Sequence, residues 1–85
     1  MRYFQVLAEE LNFGRAAARL HMAQPPLTRQ IQALENKLGT PLFERTPRGV
    51  VLTTAGRTLY EEVPNILGLV ARARERTERA GQGRI

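Results

Sequence analysis

Apolar residues recur at helical spacing from the first turn of the chain, with Tyr3, Phe4, Leu7, Ala8 and Leu11 on one face. This pattern predicts an amphipathic helix over residues 1 to about 11. Asn12 then offers a side-chain acceptor of the kind that caps a helix N-terminus. Phe13, Ala16, Ala17 and Leu20 follow at i, i+3, i+4 and i+7 and predict a short second helix. Its inner face is mostly alanine, which lets a neighbouring helix come close. Residues His21 to Gln24 form a connection, and Pro25 and Pro26 come next. Proline fits the first turn of a helix, where its missing N–H would have no partner. Leu27, Ile31, Leu34 and Leu38 repeat with spacings of 4, 3 and 4, so a third helix runs from about Pro25 to Leu38 with those four residues facing the core. Gly39 ends it, as glycine does just past a helix C-terminus.

Two short helices joined by a tight turn make a helix-turn-helix. The second of the pair carries an exposed stripe of Pro25, Thr28, Arg29, Gln32 and Asn36. Arginine, glutamine and asparagine side chains form paired hydrogen bonds with guanine or adenine edges in a major groove. From residue 42 the period changes. Leu42-Phe43-Glu44-Arg45 and Val50-Val51-Leu52 are short β-capable runs around the turn-forming Thr46-Pro47-Arg48-Gly49. They predict a β-hairpin over residues 42 to 53 with Arg48 at its tip, placed to meet a phosphate or a narrow minor groove. Thr53 or Thr54 caps the last helix.

In that helix Leu59, Val63, Ile66, Val70, Ala73, Thr77 and Ala80 alternate spacings of 4 and 3, a heptad seam. A domain this small has no surface to cover so long a seam, and the same helix of a second copy is the expected partner. Leu59, Val63, Ile66, Val70 and Ala73 are the candidate dimer contacts. Pro64 predicts a bend near Glu61. Arg74 with Glu78 and Glu75 with Arg79 are i, i+4 pairs on a solvated face, and residues 81–85 read as a frayed tail or hinge.

Composition narrows the function. The 85 residues fit one small domain, and 42% hydrophobic content is too high for a disordered tail. Net charge is +5, from one lysine (Lys37) and 12 arginines against 8 glutamates, which points to an anionic partner. With no cysteine there is no disulfide or thiolate metal site, and the chain fits a reducing cytoplasm. A single histidine, His21, reads as structural rather than as a metal ligand, and no metal or cofactor is expected. The usual nucleophile–base arrangements are unavailable, so the chain is not read as an enzyme. Gly81-Gln82-Gly83 lacks the preceding strand that phosphate binding needs. No apolar run approaches the roughly 20 residues that cross a bilayer, and the start Met1-Arg2-Tyr3-Phe4 is not a signal peptide.

Taken in order, Asn12-Phe13 with Ala16-Ala17 and Leu20, Gln24-Pro25-Pro26-Leu27-Thr28-Arg29-Gln30-Ile31, Leu34-Glu35 with Leu38-Gly39, Leu42-Phe43-Glu44-Arg45, and Leu52-Thr53 with Ala55-Gly56 form one connected series. The chain thereby resembles the N-terminal domain of LysR-type transcriptional regulators of bacteria, closely over residues 1 to about 60 and loosely beyond. The resemblance implies a mainly α, winged helix-turn-helix fold: three helices plus a β-hairpin wing over residues 1–55, then a linker helix over 56–80 that pairs antiparallel with its copy. It implies DNA contacts at Gln24, Pro25, Pro26 and Arg29 on the recognition helix and at Arg48 on the wing; by their place on that helix Thr28 is expected to donate to a phosphate and Gln32, one turn further along, to reach bases in part. The expected target is an inverted repeat in a promoter. In the family a C-terminal domain binds a small-molecule inducer and completes a tetramer; it has no counterpart in these residues, so the chain is expected to be a piece of a longer protein. The paired prolines look like the branch that controls degradation of aromatic compounds. Pro64 departs from the family's unbroken linker helix.

Other residues are less decided by pattern. Arg15 and Arg19 on the second helix are expected to face phosphate or solvent, and the Phe-Glu-Arg motif favours an Arg45 that holds the wing by ion pairing. The competing reading is an adaptor that dimerises through residues 59 to 80 and binds no DNA; it leaves the wing arginine and the polar stripe without a purpose.

Overall fold

A computed structural model describes residues 1–83. Helices α1 (Arg2–Glu10), α2 (Phe13–Arg19) and α3 (Gln24–Leu38) are followed by strands β1 (Phe43–Thr46) and β2 (Gly49–Leu52) and by a long helix α4 (Thr54–Gln82). The architecture is the expected winged helix-turn-helix with a long last helix.

Each boundary has a local cause. Leu11 takes a left-handed conformation (φ 51°) and its N–H closes α1 on the Leu7 carbonyl at 2.7 Å. Asn12 caps α2, its side-chain oxygen accepting from the Arg15 N–H at 2.8 Å. His21 turns the chain between α2 and α3 with φ 56°, a conformation that histidine tolerates better than most residues. Helix α3 starts at Gln24, and the two prolines of its first turn reduce the number of N–H groups that lack a partner. Gly39, at φ 70°, ends it with its N–H on the Glu35 carbonyl. The wing is a two-stranded antiparallel sheet with Phe43 opposite Leu52 and Thr46 opposite Gly49.

Thr53, not Thr54, caps α4, and it joins three segments. Its hydroxyl accepts from the Gly56 N–H at 3.0 Å and donates to the Pro41 carbonyl at 2.7 Å, while its own N–H reaches the Leu42 carbonyl at 3.0 Å. The root of the wing is thus fixed to the first turn of α4.

The core gathers Phe4, Leu7, Leu27 and Leu42, all essentially without exposure, around Ala16, Ala17 and Ile31. Phe43 packs its ring 5.5 Å from that of Phe4, which ties the wing to α1. Two expected core residues are corrected: Leu11 and Leu38 are 38% and 50% exposed, and Tyr3 of the same apolar pattern is 41% exposed. Leu11 lies just past the end of α1 and Leu38 at the end of α3, while Tyr3, in the first turn of α1, lines an open cleft beside α3. Val6, absent from the predicted face, is buried because α1 packs against α2, α3 and α4 together.

Helix α4 divides into two parts. Val63 is buried in the domain core and Leu59 packs half-buried against it. Beyond them Leu67, Leu69 and Val70 are exposed, and every described residue from Ala71 onward is exposed as well. The helix runs through Pro64 without ending there. It also continues past Ala80, so Gly81 and Gln82, expected in a tail, are helical; residues 84 and 85 lie outside the described residues. The two expected ion pairs form, Arg74 to Glu78 at 3.2 Å and Arg79 to Glu75 at 3.8 Å. Among the described residues no helix is long and apolar enough to cross a membrane.

Candidate nucleic-acid interface

Burial of Leu27 and Ile31 fixes how α3 is rotated, and this decides what it presents outward. Gln24 and Pro25 are exposed in its first turn, with Pro26 half-buried beside them. Arg29 and Gln32 are exposed one turn and two turns further along, and Thr28 is half-buried at the side nearer the wing. Asn36 is exposed as well. The polar stripe read from the sequence is therefore a continuous surface of one rigid helix.

The wing carries Arg48 at its tip, exposed, with Pro47 before it. The Thr46 hydroxyl fixes this turn: it donates to the Gly49 carbonyl at 2.8 Å and accepts from the Arg48 N–H at 3.2 Å. Gly49 takes φ 119°, a region open in practice only to glycine. Arg48 is aimed by the backbone and does not depend on an ion pair.

Two side chains tie the wing to the helices, Glu35 from α3 and Arg45 onto α2, and the sequence showed neither role. Glu35, half-buried on α3, accepts from the Leu42 N–H at 2.7 Å and the Phe43 N–H at 3.3 Å with one carboxylate oxygen. It satisfies the backbone donors at the start of the wing with charge-assisted hydrogen bonds. The available signal was an acidic residue on the inner flank of a helix in a basic chain. Arg45 does not hold the wing by ion pairing as expected. Its guanidinium lies over the Phe13 ring, 4.4 Å from the centroid, and among the described residues it meets no carboxylate. Thr28, Gln32 and Arg45 thereby share one shallow cleft between α3 and β1.

Arg15 and Arg19 are exposed to solvent, one of the two expected settings, and both are engaged by carboxylates. Arg19 pairs with Glu9 at 2.6 Å and Glu10 at 3.2 Å, and Arg15 pairs with Glu10 at 3.6 Å. The hydrogen bond that Arg19 donates to the Glu9 carboxylate raises its pKa above the ordinary arginine value, with Glu10 adding to it. These two cations clasp α1 to α2. Among the described residues, Arg29, Arg45 and Arg48 have no such partner, so α3 and the wing both present arginines that are not engaged by a carboxylate.

Known proteins are similar to this chain in sequence and fold. The regulator ClcR of Pseudomonas putida is 54% identical over all 85 residues, and the chain spans 29% of that relative's length. XapR of Escherichia coli K12, also an HTH-type transcriptional regulator, is 54% identical over 83 residues, and the chain spans 28% of its length. Among solved structures, the CbnR DNA-binding domain in complex with DNA superposes with a TM-score of 0.84 at 48% identity, covering 94% of this chain and 92% of that one. The family model described as "Bacterial regulatory helix-turn-helix protein, lysR family" matches residues 1–57. That stretch is more than half of the 85 residues and holds the three helices, the wing and the start of α4, and the chain belongs to the LysR family of regulatory helix-turn-helix proteins.

Proposed function

We propose that this chain is the sequence-specific DNA-binding domain of a bacterial transcription regulator. Residues 1–55 form the unit that meets DNA, and residues 56–80 form the linker that pairs two copies. Helix α3 enters a major groove through Gln24, Pro25, Pro26, Thr28, Arg29 and Gln32, while Arg48 enters the adjacent minor groove. The observation that carries this reading is the exposed polar face of α3, with an Arg29 that meets no carboxylate among the described residues, next to a wing whose tip is held by the Thr46 hydroxyl. Two copies related by a twofold axis place two α3 helices about one helical turn apart, so the site is an inverted repeat. In the full-length protein a further domain takes a small-molecule inducer and completes a tetramer, and the regulator acts in the cytoplasm on the nucleoid. Catalysis plays no part in this role.

Selection of bound duplexes from a random-sequence pool tests the proposal. The expected product is an inverted repeat whose half-site centres lie about 10 base pairs apart, or a multiple of that spacing. A pool that binds yet converges on no sequence would overturn it.

The dimer contact is narrower than the heptad pattern suggested. Val63 is committed to the domain core and Leu59 packs against it, so pairing rests on Ile66, Val70 and Ala73 with the exposed Leu67 and Leu69. Val70→Glu is expected to leave the melting curve of the isolated domain nearly unchanged and to shift sedimentation toward the monomer. Val63→Ala is expected to cost about 2 kcal/mol of stability through the cavity it leaves. A Val70→Glu chain that still sediments as a dimer would place the contact elsewhere.

A further inference from the structure

Two DNA-reading elements on one domain leave a strand of DNA between them. If α3 occupies a major groove and the wing the neighbouring minor groove, the sugar-phosphate strand that separates the grooves crosses the surface between α3 and β1. That surface is the cleft where Thr28 and Gln32 of α3 face Arg45 of β1. Arg45 sits three residues before the wing tip, opposite Val50 in the sheet, and is exposed. Glu35, the acidic residue of the same cleft, already accepts from the Leu42 and Phe43 N–H groups and makes no ion pair with Arg45.

We propose that Arg45, stacked on Phe13 of α2 in the cleft between recognition helix and wing, is a backbone clamp that binds a phosphate of the strand between the two grooves. This inference rests on the DNA-binding reading above and adds to it a contact that is indifferent to sequence. Stacking on an aromatic face leaves the N–H edge of a guanidinium free to donate, and it holds the side chain in place before the phosphate arrives. Less rotamer freedom is then lost on binding. Thr28, which lines the α3 side of the cleft, supplies a hydroxyl that can donate to the same phosphate group. The clamp also explains why the arginine is not ion-paired: a carboxylate partner would have to be displaced by each phosphate.

Fluorescence anisotropy with the 85-residue chain tests this, using the selected duplex and a scrambled one of equal length at several salt concentrations. Arg45→Gln is expected to weaken binding to both duplexes by the same factor, about ten-fold, and to reduce the salt slope by about one per bound copy. Arg45→Lys keeps the charge and is expected to restore the slope, with affinity only partly recovered because lysine lacks the planar fork. The inference fails if Arg45→Gln leaves the slope unchanged, or if the loss falls on the selected duplex alone. If the native chain binds neither duplex, the DNA-binding reading itself fails and this clamp fails with it.

Discussion

Gly56→Ala is expected to lower the melting temperature on the order of 15 °C, the largest effect of any single methyl group added to this domain. Gly56 lies in the first turn of α4 and is buried. A β-carbon there would overlap the Leu42 carbonyl oxygen and would stand 3.0 Å from the carbonyl carbon and 2.9 Å from Leu52 Cδ2. Two of these three atoms are Leu42 backbone, so turning the Leu52 side chain away would not relieve the overlap. The first turn of α4 has to move outward instead. Movement strains the hydrogen bond from the Gly56 N–H to Thr53 and the linked bonds from Thr53 to Pro41 and Leu42. Forced overpacking of this kind costs about 2–4 kcal/mol, which exceeds the roughly 1 kcal/mol that alanine gains over glycine in a helix. For a domain of this length that is a large share of the total stability.

The same substitution at Gly68 supplies the comparison. Its β-carbon would meet only the Arg72 guanidinium at 3.3 Å, the far end of a flexible side chain. Gly68→Ala is therefore expected to stabilise α4 slightly by propensity alone. Thermal melts followed by circular dichroism at the helix band read both variants. Equal melting temperatures for Gly56→Ala and the native chain would mean that α4 does not lie against Leu42 as described.

Signals confined to a few neighbouring residues were legible in the sequence, and features that depend on another segment were not. Asn12, Gly39 and Thr53 mark helix ends because a cap is a contact within three or four residues. The wing tip was legible for the same reason, through Pro47 and Gly49. Period alone misplaced Val6, since a helix packed against three others hides more than one face. It also gave Val63 to the dimer seam, because a heptad pattern does not say which partner covers each position. The charged residues were hardest. Glu35 and Arg45 find partners seven or more residues away, and the pairing of Arg19 with Glu9 and Glu10 depends on the angle between α1 and α2. Of the candidate DNA contacts, the stripe on α3 followed from helical spacing once Leu27 and Ile31 were taken as core, whereas the cleft joining Thr28 and Gln32 to Arg45 is made by tertiary packing.

Arg29→Ala is expected to reduce the preference for the selected inverted repeat over a scrambled duplex by roughly 1–3 kcal/mol per half-site, which is about 5- to 150-fold. Arg29 stands one helical turn after Pro25 on the exposed side of α3, with no carboxylate to engage it among the described residues. An unpaired arginine on a rigid helix can present two parallel donors to the O6 and N7 acceptors of guanine. Removing it leaves those acceptors without protein donors on the selected duplex, while a scrambled duplex, which never met the arginine in that geometry, loses little. The prediction therefore differs in kind from that for Arg45, where both duplexes lose alike and the salt slope falls. Anisotropy titrations of the two variants on the same pair of duplexes separate the roles. If Arg29→Ala weakens both duplexes equally and flattens the salt dependence, Arg29 holds a phosphate, and sequence is read by Gln24, Pro25, Pro26 and Gln32 or through the shape of the DNA. If it alters neither, α3 is not the helix that enters the groove.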